Sequence, residues 1–213
     1  MEALKSPPQL RIPLLSPSQR LVSLPPVALV RAVDGSAPRL ATAVRAGWRD
    51  GCLLVRFDAR DDGWMATKTR RDDSLWEEDV FEVFLARDDP PHTYYEFEVN
   101  PLGTLFDACI LSPRLRRPTI CVDVAWDCPG FRARVDRRDG RWSSTLTIPL
   151  APLGEGEVPR RWRANFFRVD RGAAGQADEY SSWSPTLSTP PDFHDATRFG
   201  ILDLDGTAEQ PNS

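Results

Sequence analysis

Residues 70–107, RRDDSLWEEDVFEVFLARDDPPHTYYEFEVNPLGTLFD, decide the fold. They hold two short runs of strand-like alternation on either side of a Pro-rich turn. In the first, Phe81, Val83 and Leu85 face one way and Val80, Glu82 and Phe84 the other. In the second, Tyr95, Phe97 and Val99 alternate with Glu96, Glu98 and Asn100. Side chains change face at every strand residue, so Glu98 and Asn100 share a face. The pattern predicts a sheet with an apolar packing side and a polar working side, the latter carrying carboxylates, an amide and the nearby Trp76.

The same alternation recurs in both directions along the chain. Residues 27–33 form an apolar run; residues 40–48 and 52–58 alternate around Arg49-Asp50-Gly51, a hairpin signal. Further strands are expected at 104–111, 119–126, 131–136, 142–148, 163–170, 179–183 and 199–204, with Asp139-Gly140 as a tight turn. Twenty prolines and 13 glycines in 213 residues, without sustained helical periodicity, favour many short strands over helices. The expected fold is all-β: a two-sheet antiparallel β-sandwich, jelly-roll or immunoglobulin-like, over residues 22–205. Residues 1–21, rich in Pro and Ser, read as an extended or disordered lead-in, and residues 206–213 as a tail.

A net charge of -4 excludes nucleic acid as the expected partner, because phosphate binding needs a basic surface. No run is apolar enough to span a bilayer and no leader is visible, which places the protein in the cytoplasm as written; a start site further upstream would place it outside the cell. The four cysteines match no zinc spacing and read as reduced thiols.

SLWEEDVFEVFL, YYEFEVN, NFFRVDR, SWSPT and RFGIL occur in the order found in family-9 carbohydrate-binding modules and their relatives of the DOMON superfamily. The chain resembles that group from about residue 40 to 204, and PLGTLFDA and SPTLSTPPDFH resemble its stand-alone branch. The resemblance implies a sandwich whose concave face clamps a sugar, of xylan or glucan type, between Trp76 and Trp183. Glu82 matches the carboxylate that binds sugar hydroxyls, and Asn100 the amide of the same face. Two positions depart: Glu98 stands where those modules carry an arginine, and Arg168 where they carry a glutamine. His194, in PDFHD, lines the rim or holds a loop. Chemically the set is apt, since flat rings cover the C-H faces of a pyranose while carboxylate, amide and guanidinium groups bind its hydroxyls.

Three other assignments stay open at this stage. Glu82 with Glu98 is a candidate glycosidase pair in carbohydrate catabolism, although no nucleophile and base with an orienting group accompany it. Met65 with His194 or His92 supplies the sulfur and imidazole that haem ligation needs in other DOMON relatives, although a packing methionine is the commoner explanation. Asp61, Asp62, Asp72 and Asp73 offer hard oxygen ligands for the structural calcium that the resemblance implies, with no defined loop spacing. The oligomeric state is not legible.

Overall fold

Alternation in the central stretch is realised as an antiparallel hairpin, a device the chain repeats. The computed structural model describes residues 6–172 and 175–206. In chain order the strands are β1 (Gln9–Ile12), β2 (Val27–Ala28), β3 (Val30–Arg31), β4 (Thr42–Arg49), β5 (Cys52–Arg60), β6 (Val80–Ala86), β7 (Thr93–Val99), β8 (Leu105–Leu111), β9 (Cys121–Asp123), β10 (Arg132–Arg138), β11 (Arg141–Pro149), β12 (Arg161–Asp170), β13 (Glu179–Ser182) and β14 (Gly200–Leu204). Between β4 and β5 the turn rests on Asp50 and Gly51, with φ of 52° and 71°. Two successive positive φ values give the twist that joins adjacent strands, which is why Asp-Gly stands there.

Two sheets result, as expected. A 9-stranded sheet runs β1-β14-β12-β6-β7-β8-β9, with β13 pairing β12 and β3 pairing β13; a 5-stranded sheet runs β10-β11-β5-β4-β2. Among the named strands β1 and β14 pair in parallel, unlike the antiparallel ladders elsewhere. That strand lies in the segment read as a lead-in, where Ile12, Leu15 and Leu21 are also buried, so the sandwich begins well before residue 22. Alternation over only four residues gave too short a signal to read. Residues 1–5 of that segment lie outside the described residues, as does the expected tail at 206–213 apart from Gly206.

The core between the sheets contains Phe81, Val83, Leu85, Phe97 and Val99 from the central hairpin, with Val55, Phe57, Trp142 and Leu146 from the smaller sheet. Phe81 is its centre: it stacks on Phe57 at 4.6 Å and on Trp142 at 3.7 Å between centroids. The opposite face of the large sheet differs from the expected open polar surface. Val80, Phe84, Tyr94, Phe106, Ile110, Phe167 and Val169 meet Phe193, Ala196 and Phe199 from the loop before β14, forming a second apolar cluster. Glutamates on this face therefore sit among apolar side chains, which changes their chemistry.

Candidate functional site

Register aligns the acidic groups. Glu82 on β6 lies directly opposite Glu98 on β7, and Phe84 opposite Glu96, so all three glutamates fall on the outer face of the large sheet. Their carboxylate oxygens lie within 4.8 Å of one another. Above them is a cavity of about 410 Å³, floored by Glu82 and Glu96 and walled by Trp76, Phe106, Tyr180 and Phe193, with Arg117, Arg171 and His194 also lining it.

Trp76 reaches the cavity through a short turn, Leu75–Glu77, anchored by the buried Leu75. The preceding loop is pinned by carboxylates: Glu78 accepts from the Thr67 and Lys68 amides at 2.8 and 3.1 Å, and Asp79 accepts from Met65 at 2.7 Å. The indole meets Phe106 edge-on at 5.2 Å and stays 43% exposed, leaving ring surface free for a ligand. Tyr180 is brought to the same face by β13, where it pairs with Val169 of β12. Arg171 links the two aromatic walls, donating to the Trp76 carbonyl and, at 2.8 Å, to the Tyr180 hydroxyl.

The carboxyl groups are short of partners. Glu98 is fully buried and neither of its oxygens has a donor. Its nearest acidic neighbours are the carboxyls of Glu82 and Glu96. Burial pushes the Glu96 carboxyl up to about 7, against the pull of Arg117. Burial and then its acidic neighbours hold Glu82 and Glu98 well above the usual carboxylate range. Burial also pushes the His194 imidazole down to about 4, with Arg117 adding to the effect, so it is neutral at physiological pH. Its Nδ1 lies 2.8 Å from the Tyr94 hydroxyl, which holds the ring at the cavity wall.

The sequence pattern of carbohydrate-binding family 9 matches residues 35–204, most of the chain. The chain belongs to that family. A curated relative, an extracellular protein of Arthroderma benhamiae, is 28% identical over 152 residues, 65% of this chain and 68% of the relative. Among solved structures, a candidate carbohydrate-binding protein from Bacteroides uniformis superposes with a TM-score of 0.69 at 18% identity, covering 94% of this chain and all of its own. Family-9 modules from Caldicellulosiruptor kristjanssonii, in complex with cellotriose and with glucose, give TM-scores of 0.65 and 0.61 at 10% and 12% identity. Each covers 97% of this chain, and the two are covered over 98% and 100% of their own lengths. At such identities the structures agree in fold alone.

Of the candidate ligand-binding residues read from sequence, Trp76, Glu82 and His194 line the cavity, while Glu98 lies in contact beneath it. Trp183, Arg168 and Asn100 do not line it, and each has a physical reason. Trp183 is 9% exposed and packs in the core between the sheets, 5.4 Å from Phe166. Ser182 shares the outer face with its partner Phe167, so the following residue turns inward. The two-tryptophan clamp is therefore not formed. Arg168 pairs with Phe81 on the inner face, where its guanidinium donates to Asp61 and Asp170 at 3.0 Å each and to the Arg60 carbonyl at 2.8 Å, tying the two sheets together. Asn100 spends its amide on a turn, donating to the Lys68 carbonyl at 2.8 Å and accepting from the Leu102 and Thr104 amides. Sequence reading missed Glu96, Tyr180, Phe193 and the two rim arginines. Parity within EYSSW was the available signal, since it sets Tyr180 and Trp183 on opposite faces.

The four aspartates considered for calcium do not form one group. Asp61 sits with Asp79 and Asp170, where Arg168 supplies the positive charge, and Asp72 with Asp107 and Asp127, which Arg71 bridges. Asp62 and Asp73 pair with Arg39 and Arg70. Met65 does not line the cavity that His194 lines, and His92 is exposed near the Ser112 carbonyl, so no sulfur and imidazole face each other across that cavity.

Proposed function

We propose that this family-9 protein binds carbohydrate without cleaving it, a sugar ring lying against Trp76 while its hydroxyls donate to Glu82 and Glu96. The observation that carries the reading is one cavity, of a size usual for small-molecule sites at roughly 300–1,000 Å³, that joins a half-exposed indole to buried carboxyl acceptors. Ring stacking accounts for the apolar faces of a pyranose and hydrogen bonds to the carboxyl oxygens for its edge. Tyr180 and Phe193 take the wall for which Trp183 is unavailable. Glycoside cleavage by Glu82 with Glu98 is disfavoured because Glu98 lies enclosed beneath the cavity, out of reach of a glycosidic oxygen.

Cellotriose and glucose, the ligands of the Caldicellulosiruptor relatives, and the corresponding xylo-oligosaccharides form the first panel for calorimetric titration. Saturable binding lost in Trp76→Ala and kept in the surface variant Arg138→Gln, at a residue remote from the cavity lining, is expected. Binding of the panel that is unaffected by Trp76→Ala would refute the assignment, and release of reducing ends during the titration would refute its non-catalytic part.

A further inference from the structure

The acidic floor is more than a neutral sugar requires. Three buried glutamates lie within 4.8 Å of one another, and Glu98 has no donor at either oxygen. Burying carboxyls without counter-charge is costly, and clusters of this kind persist where something compensates them. The nearest cations in the chain are already engaged. Arg171 is held by Asp178 at 2.6 Å and by Tyr180, and Arg117 faces Asp192 at 3.4 Å; neither makes a salt bridge to a glutamate. The remaining groups around the floor, His194 and Tyr94, are neutral. Thus the cavity offers a floor of closely spaced carboxyl groups under aromatic walls, with rim arginines paired to Asp178 and Asp192.

We propose that the site selects an aminated sugar, a pyranose carrying a free ammonium group that enters between Glu82 and Glu96 above Glu98 while the ring rests on Trp76. This rests on the carbohydrate-binding reading and narrows it. An ammonium brings three donors to a set of acceptors that lacks them. Aromatic walls add cation–π attraction for the same charge. At neutral pH the triad retains protons because burial disfavours its ionised form. An arriving ammonium takes over their role, so binding expels a proton to solvent and strengthens as pH rises. A hydroxyl sugar carries no such charge and expels none.

The test titrates glucosamine and its β-1,4 dimer and trimer beside their N-acetylated forms and the matching gluco-oligosaccharides. Calorimetry is run between about pH 6 and 8, in two buffers of different ionisation enthalpy, on wild type, Glu98→Gln and Glu96→Gln. Amine-bearing ligands are expected to bind on the order of tenfold tighter than their N-acetylated or hydroxyl counterparts, as charge-assisted contacts exceed neutral ones. Their binding releases about one proton; Glu98→Gln, beneath the cavity, brings the ratio close to unity while hydroxyl sugars still bind, and Glu96→Gln removes the proton release. Hydroxyl sugars that bind as well as amines, without proton release, would overturn this inference and leave the carbohydrate reading intact. Binding of neither class by folded protein would overturn both. A calcium or magnesium ion that binds the wild type but not Glu98→Gln, without any amine preference, would overturn it in favour of a metal floor.

Discussion

Trp183→Ala separates a packing indole from a ligand-facing one, and its size can be worked from burial. The ring is 9% exposed, lies 5.4 Å from Phe166 and abuts Gly200. A Trp side chain buries about 150–250 Å², so nine-tenths of about 200 Å² at about 25 cal/mol per Å² gives roughly 4–5 kcal/mol before any cavity term. For a domain of this length that lowers the melting midpoint by on the order of 10 °C or more. Trp76 is 43% exposed and its removal opens to solvent without leaving a closed void, so Trp76→Ala costs at most roughly 2–3 kcal/mol on the same scale. Urea unfolding of both variants, paired with titration of the tighter-binding sugar, reads the contrast. Trp183→Ala is expected to lose stability and, under conditions where it stays folded, keep its affinity; Trp76→Ala is expected to do the reverse. Wild-type unfolding of Trp183→Ala together with abolished sugar binding would show the reasoning about β13 parity to be wrong.

Three further outcomes follow from the same coordinates. Arg168→Met leaves Asp61 buried without its guanidinium and Asp170 with Arg39 alone, and should cost roughly 3–5 kcal/mol in urea unfolding; a near-neutral result would mean that the pairing contributes nothing between the sheets. Burial raises the Glu96 carboxyl from 4.5 to about 7, so the folded chain holds a proton that the unfolded chain has lost across that interval. Stability is therefore greatest below about pH 4.5 from this group and falls by roughly 3 kcal/mol as pH rises through about 7. Melting midpoints from about pH 5 to 8 should decline less steeply in Glu96→Gln, and an identical slope would place the titration elsewhere. Gly200→Ala sets a methyl carbon 2.6 Å from Trp183 Cη2 and 2.7 Å from the Pro8 carbonyl, an overpacking worth roughly 1–3 kcal/mol; an unchanged unfolding midpoint would show that this contact yields freely.

Sheet architecture was legible because period-2 alternation is a local property: Phe81, Val83 and Leu85 declared the inner face, and Asp50-Gly51 declared its turn. The site was legible in part, for the same reason. Glu82 and Glu98 share a face by parity, and Trp76 follows a polar loop that has no other evident task. What the pattern could not show was how deeply that face is covered. Phe193, Ala196 and Phe199 come from a Pro-rich loop distant in sequence, and only tertiary packing reveals that they close over Phe84 and Tyr94. Trp183 is flanked by Ser182 and Ser184, a polar setting usual for a surface ring, whereas its backbone amide donates to the Phe166 carbonyl and its ring is turned inward. Arg168 was misplaced although its own strand alternates Phe166, Arg168 and Asp170 against Phe167 and Val169. A charged residue on the inner face is expected only once its partners Asp61 and Asp170 are known.

Strand β1 runs beside β14 with Gln9 next to Ile201 and Ile12 next to Leu204. Because the two point the same way, polypeptide enters the first at one extremity of the ladder and leaves the second at the other. Tension drawn between those points slides the strands lengthwise and strains every rung at once, whereas hairpin neighbours pulled at adjacent ends peel apart singly. A tether stretched across this edge thus meets a shear clamp, and a force-extension trace from Gln9 to Leu204 should give one abrupt rupture instead of gradual unzipping.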